Sequence, residues 1–186
     1  EIRVPKIAVD LMIKIKPPKK PNKISLGKIR DFIVYLRNVL KINIELVTAD
    51  QFQSAQMLQE LEELGFNTAG LSVDRTADAY LSFTNLMYEE RIEMYHYEPF
   101  KTELFGVVYY PAKRKVDHTS KGSKDVSDAV VGATYSAIKS EDKTDVTGNS
   151  LLELFIDANK GSEEDLYEEK VSTMLKGLEK MLRGGL

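Results

Sequence analysis

The chain has 186 residues, 26 basic against 29 acidic side chains, a net charge of −3, 42% hydrophobic content and no cysteine. Length and apolar content suit one globular domain, and the missing cysteine excludes disulfide frameworks and zinc–thiolate sites and fits an intracellular protein. No apolar run reaches the roughly 18 residues of a membrane-spanning helix, and no signal-like segment opens the chain.

The charge is unevenly spread. Lys14, Lys16, Lys19, Lys20, Lys23 and Lys28 form one basic stretch, residues 113–124 form another, and residues 141–169 are acidic. Basic patches on a mildly acidic protein permit nucleic acid as a partner, although such runs also serve as plain solvated surface.

In chain order, residues 7–15 are an apolar, β-branched run that predicts a strand. Pro17, Pro18 and Pro21 end it, since proline donates no ladder hydrogen bond. Asp10 inside that run reads as a ligand or, more simply, as an edge residue. Ser25 is a plausible N-cap, and Ile29, Phe32, Ile33, Leu36 and Leu40 then keep helical spacing. Residues 42–47 predict a second strand running into Thr48-Ala49-Asp50. An aspartate at the C-terminal end of an inner strand lies where α/β sheets place their chemistry, and it is equally a helix cap. A helix follows through Leu58, Leu61 and Leu64, with Gly65 at its C′ position.

Residues 69–73 predict a third strand. Residues 77–90 predict a helix with Tyr80, Phe83, Thr84, Met87 and Tyr88 on its inner face, a core face rather than a base-stacking platform. Residues 91–95 read as extended, 99–108 as helical, and 113–124 as a basic loop. Asp125 and Asp128 then open a small-residue helix through Ile138. Residues 139–150 read as a linker, 151–158 as a short apolar element, and 163–182 as an amphipathic helix. The domain division expected is therefore 1–138, followed by linker and C-terminal helix over 139–186. Alternating strands and helices imply an α/β fold with a parallel or mixed sheet flanked by helices.

The ionisable residues narrow the chemistry. Asp125 and Asp128 share one face of a first helical turn, where the helix dipole favours ionised carboxylate. Topology permits Asp50 to meet them, and converging carboxylates repel unless a cation is bound. Mg²⁺ or Mn²⁺ suits such hard oxygen donors, and a pair of these ions can drive phosphodiester cleavage while the neighbouring lysines hold phosphates. The simpler reading is that Asp125 and Asp128 only cap their helix. His96 and His118 lack metal-ligand spacing, and His118 reads as a base, a metal neighbour or a loop anchor. No nucleophile elbow, Walker A sequence or dinucleotide fingerprint is present.

Lys115-Val116-Asp117-His118, followed by Gly122-Ser123-Lys124-Asp125-Val126-Ser127-Asp128-Ala129, resembles the nuclease motif of tailed-phage large terminase subunits. Val47-Thr48-Ala49-Asp50-Gln51-Phe52-Gln53-Ser54 and Leu71-Ser72-Val73-Asp74-Arg75 share the resemblance, which runs in order over residues 9–138. It implies an RNase H-like nuclease that cuts concatemeric viral double-stranded DNA by two-metal catalysis with Mg²⁺ or Mn²⁺. It makes Asp50 the second catalytic acid, Asp128 the last, and Asp125 a variable ligand position beside it. Lys113, Arg114, Lys115, Lys121 and Lys124 become DNA-binding residues. Implied partners are the portal protein, the small terminase subunit and an ATPase motor domain upstream, and the implied location is the host cytoplasm.

The family's first catalytic aspartate stands on a strand preceding two more. Here only one strand precedes the helix at Ser25, so the expected sheet lacks its first strands and that acid. The alternative expectation is a catalytically incomplete module that binds DNA or portal. A junction-resolvase-type nuclease is the third.

Overall fold

The computed structural model describes residues 6–141, apart from 20, 22, 74, 114, 120 and 121. The expected elements over 151–158 and 163–182 lie outside them. The described residues form a mixed α/β fold with five α-helices, as the alternating pattern predicts. Its strands pair as three two-stranded sheets rather than one mixed sheet. The chain divides into two compact units: one takes residues up to Met12 and from Val73 onward, the other Ile13–Ser72.

In the Ile13–Ser72 unit, Ser25 caps α1 (Leu26–Asn38) and its hydroxyl accepts from the Lys28 amide at 3.4 Å. Strand β2 (Val47–Ala49) runs parallel to β3 (Thr68–Gly70), with α2 (Gln51–Glu63) between them in sequence. A parallel pair needs such a crossover. The predicted strand at 42–47 shifts to Val47–Ala49 because the partner supplies only three residues; just before it, Asn67 Nδ2 donates to the Glu45 carbonyl at 3.1 Å. Met57, Leu61 and Phe66 are the buried core, with Ile29, Ile33 and Val47 packed on them. Arg37 lies over the Phe66 ring and donates to the carbonyls of Leu64 and Gly65, oxygens that the end of α2 leaves without helical partners.

Helix α2 ends as expected. Gly65 sits at φ +77° while its amide bonds Glu62 O and the Phe66 amide bonds Leu61 O, which is a Schellman motif.

In the other unit, β1 (Ile7–Val9) runs parallel to β4 (Ile92–Met94). The strand predicted over 7–15 stops at Val9. Further on, the Tyr95 hydroxyl takes over from a ladder, accepting from Met12 N at 2.6 Å and lying 3.1 Å from Met12 O. Helix α3 (Asp78–Tyr88) buries Tyr80, Phe83, Thr84 and Met87, whereas Tyr88, expected on the same face, is exposed. Phe83 meets Phe100 of α4 (Glu98–Phe105) edge-on, with centroids 5.9 Å apart.

Residues 107 and 108, predicted as helix, instead begin β5 (Val107–Tyr110). The expected basic loop contains a short 3-10 turn at Pro111–Lys113 and strand β6 (Lys115–His118), antiparallel to β5. Val107 and Val116 are the buried positions of this hairpin. Helix α5 (Asp125–Glu141) packs on α3 and α4, buries Val126, Val130 and Val131, and runs past Ile138 into the stretch expected to be linker.

Candidate functional site

Asp125 and Asp128 stand in the first turn of α5, as their spacing predicts. Their carboxylates engage different neighbours. Exposed Asp125 accepts from the Ser123 hydroxyl at 3.0 Å, and that hydroxyl also lies 3.1 Å from Glu103 Oε1. Asp128 turns toward α3. Its Oδ1 accepts from the Tyr80 hydroxyl at 2.6 Å and its Oδ2 from Lys124 Nζ. Tyr80 is buried, and burial followed by the Asp128 charge pushes its phenol far above the ordinary range, so it remains a donor. Ser127, fully buried, sits 3.1 Å from Tyr80 Oη and 3.0 Å from the Lys124 carbonyl, with one proton to share between them.

Glu103 carries the start of α5. It lies on the buried face of α4 with Phe100 and Leu104 and is 4% exposed. Its Oε2 accepts the amides of Val126, at 2.6 Å, and Ser127, at 3.1 Å. Those are first-turn amides that have no partner inside the helix. The cap thus comes from another helix, and the N-terminal dipole favours the buried charge.

On β6, side chains two apart share a face. Lys115 Nζ reaches Asp117 Oδ2 at 2.7 Å, while Asp117 Oδ1 accepts the His118 amide at 2.9 Å. The Lys115 hydrogen bond, then that amide, hold the Asp117 carboxyl below the usual range, and the Lys115 and Lys124 charges add to the effect. The His118 ring donates from Nδ1 to the Thr119 carbonyl at 2.7 Å, the loop-anchor role.

Of the expected DNA-binding residues, Lys113 is exposed and Lys115 half-buried. Lys124 departs from the expectation of a surface phosphate contact: its side chain is 11% exposed and bound to Asp128. Arg114 and Lys121 lie outside the described residues. Asp50 is exposed between β2 and α2, its carbonyl accepting the Ser54 amide at 3.2 Å, so it takes the cap position of α2 in the Ile13–Ser72 unit. Asp10 is exposed beyond the end of β1.

Among the described residues no three His, Asp or Glu side chains gather as a metal-binding group. Around Asp128 the Tyr80 hydroxyl donates to one carboxylate oxygen and the Lys124 ammonium to the other, so neither neighbour is an oxygen ligand for a hard cation as the side chains stand. Sequence reading missed Glu103, Tyr80, Ser127 and Asp117. For Glu103 the signal was an acid on the apolar face of a helix, between Phe100 and Leu104; for Asp117 it was the polar–apolar alternation of Lys115-Val116-Asp117. No helix among the described residues is long and apolar enough to cross a membrane. Compared with family models, curated proteins and solved structures, the chain matches none.

Proposed function

We propose that this chain is a metal-dependent endonuclease module of the large-terminase kind, hydrolysing phosphodiester bonds of concatemeric double-stranded DNA with Mg²⁺ or Mn²⁺. The observation that carries the reading is the start of α5. Asp125 and Asp128 open that helix directly after a strand bearing Lys115 and Asp117, in the order of the motif the sequence resembles. An RNase H-like sheet, Asp50 as a further acid, and portal protein, small terminase subunit and an upstream motor as partners belong to the same proposal.

In this reading Asp128 would hold the divalent ion, which would supply an activated water and stabilise the leaving oxygen. The chain's own residues prepare that carboxylate. Tyr80 fixes its orientation through Oδ1. Glu103 ties down the two backbone amides beside it, so the turn that carries Asp128 is set by α4. Exposed Lys113 offers charge to the phosphate backbone. The test is nicking of supercoiled plasmid with Mn²⁺ or Mg²⁺: the parent cuts, while Asp128→Asn and Asp50→Asn, assayed separately, do not. Variants that cut as well as the parent remove those acids from the mechanism.

Two observations favour a second reading, a non-catalytic module that binds DNA or portal: the Asp128 charge is already balanced by Lys124, and no described three-acid group is present. It predicts salt-sensitive DNA binding with no cleavage under any divalent ion.

A further inference from the structure

In the Ile13–Ser72 unit charge divides along the chain. Residues 13–41 carry nine lysines and arginines against one acid, Asp31, whereas residues 42–72 carry five acids and no lysine or arginine. The two arginines are committed to structure: Arg30 pairs with Asp31 and Glu60, and Arg37 lies over Phe66. Lys28, in the first turn of α1, and Lys41, just past its end, are exposed. Neither is where local preference puts a lysine. A cation in a first helical turn opposes the dipole, and Lys41 holds φ 58°, a left-handed position that favours glycine.

Between them α1 exposes two aromatic rings, Phe32 at 41% and Tyr35 at 46%, enough for a partner to lie on. Lys28, Phe32, Tyr35 and Val39 follow at i, i+4, i+7 and i+11, so they share one stripe of the helix. That stripe lies opposite Ile29 and Ile33, which pack on the core. Asp31, the one acid of α1, is held by Arg30 at 2.7 Å.

We propose that this face of α1 binds single-stranded nucleic acid, with Phe32 and Tyr35 stacking on bases and Lys28 and Lys41 meeting backbone phosphates. Stacking on an aromatic side chain needs an unpaired base, whose face a duplex keeps inside its own stack, so rings between cations select a single strand. The site is independent of the nuclease reading, because no acid takes part in it.

The test is fluorescence anisotropy of labelled oligo(dT) with the full chain in EDTA, so that neither cleavage nor a divalent ion enters. An oligonucleotide of about 20 residues exceeds the roughly 4–16 nucleotides such sites cover. A duplex of the same length should bind at least about tenfold more weakly. Phe32→Leu and Tyr35→Leu keep an apolar surface but lose the ring, and each should weaken binding about fivefold or more. Tyr35→Trp keeps the stacking and introduces the chain's one tryptophan, whose fluorescence oligo(dT) should quench. Lys41→Gly removes a charge and suits the left-handed backbone, so it should melt no lower than the parent while the salt slope of binding shrinks by about 0.7. Leucine variants that bind like the parent, duplex bound as tightly as the single strand, or no oligo(dT) binding by the parent at low salt overturns the proposal. Self-association of the parent that oligo(dT) leaves intact and Tyr35→Glu abolishes assigns the face to a protein partner and overturns it too.

Discussion

Glu103→Ala tests whether the start of α5 is held from outside its own sequence. The substitution removes the acceptor of two amides, Val126 N and Ser127 N, both on buried residues, and takes a partner from Ser123. Each buried donor left unsatisfied costs about 1–3 kcal/mol. Taking the lower half of that range for two amides, and adding a small cavity term, gives a loss of about 3–4 kcal/mol. That is a large share of the 5–15 kcal/mol by which domains typically hold together. Glu103→Gln keeps one carbonyl acceptor and loses the charge, so about 1–2 kcal/mol is expected, because charge-assisted bonds are roughly twice as strong as neutral ones.

The control is Glu98→Ala on the same helix, where the side chain is 67% exposed; it should stay within about 0.5 kcal/mol of the parent. With no tryptophan in the chain, urea denaturation is followed by far-UV circular dichroism. Amide exchange at Val126 and Ser127 gives the local readout: protection should fall in Glu103→Ala and survive in Glu98→Ala. If Glu103→Ala costs less than about 1 kcal/mol, the amides have another acceptor and the cross-helix cap is wrong.

Four further substitutions have definite expected outcomes. Gly65→Ala should destabilise by about 1 kcal/mol although nothing lies within 4 Å of the added carbon, because the penalty is the left-handed backbone alone. Glu90 closes α3 with the same bond pattern at φ 54°, so Glu90→Gly should shift stability the opposite way by a similar amount; equal signs in urea melts would discredit both. Tyr80→Phe should cost about 1–2 kcal/mol in urea denaturation by removing the donor to Asp128 Oδ1, and a loss under about 0.5 kcal/mol would refute that hydrogen bond's role. Asp117 is depressed in the folded state, so its contribution is present above the unfolded carboxylate value of about 4 and is lost as pH falls through the folded value. Asp117→Asn should therefore be less stable than the parent at neutral pH and lose less on acidification below about pH 4, and parallel curves would refute the assignment.

The parts of the fold that are legible in the sequence are those with local causes. Ser25 marks the start of α1, Gly65 the end of α2, and the Asp125–Asp128 spacing the first turn of α5, because capping and helical periodicity involve residues within a turn of one another. The strands were legible only in outline. Residues 7–15 and 42–47 have strand composition along their length, yet ladders exist only where a partner is alongside, at Ile7–Val9 and Val47–Ala49. Val107 and Val108 extend the apolar pattern of α4 closely enough to read as helix; pairing of Val107–Tyr110 with Lys115–His118 makes them strand.

The stretch from Lys113 to Asp128 shows where the division falls. Its composition by itself determines a basic segment running into two helix-opening carboxylates, since charge and spacing are properties of the chain. Tertiary structure alone decides what those charges meet: Glu103 from α4 caps the helix, Tyr80 from α3 takes one oxygen of Asp128, and Lys124 turns inward onto the other. The physical reason is that burial turns an ordinary surface lysine into an ion that must be paired, and burial is set by α3 and α4, which pack on α5 from elsewhere in the chain.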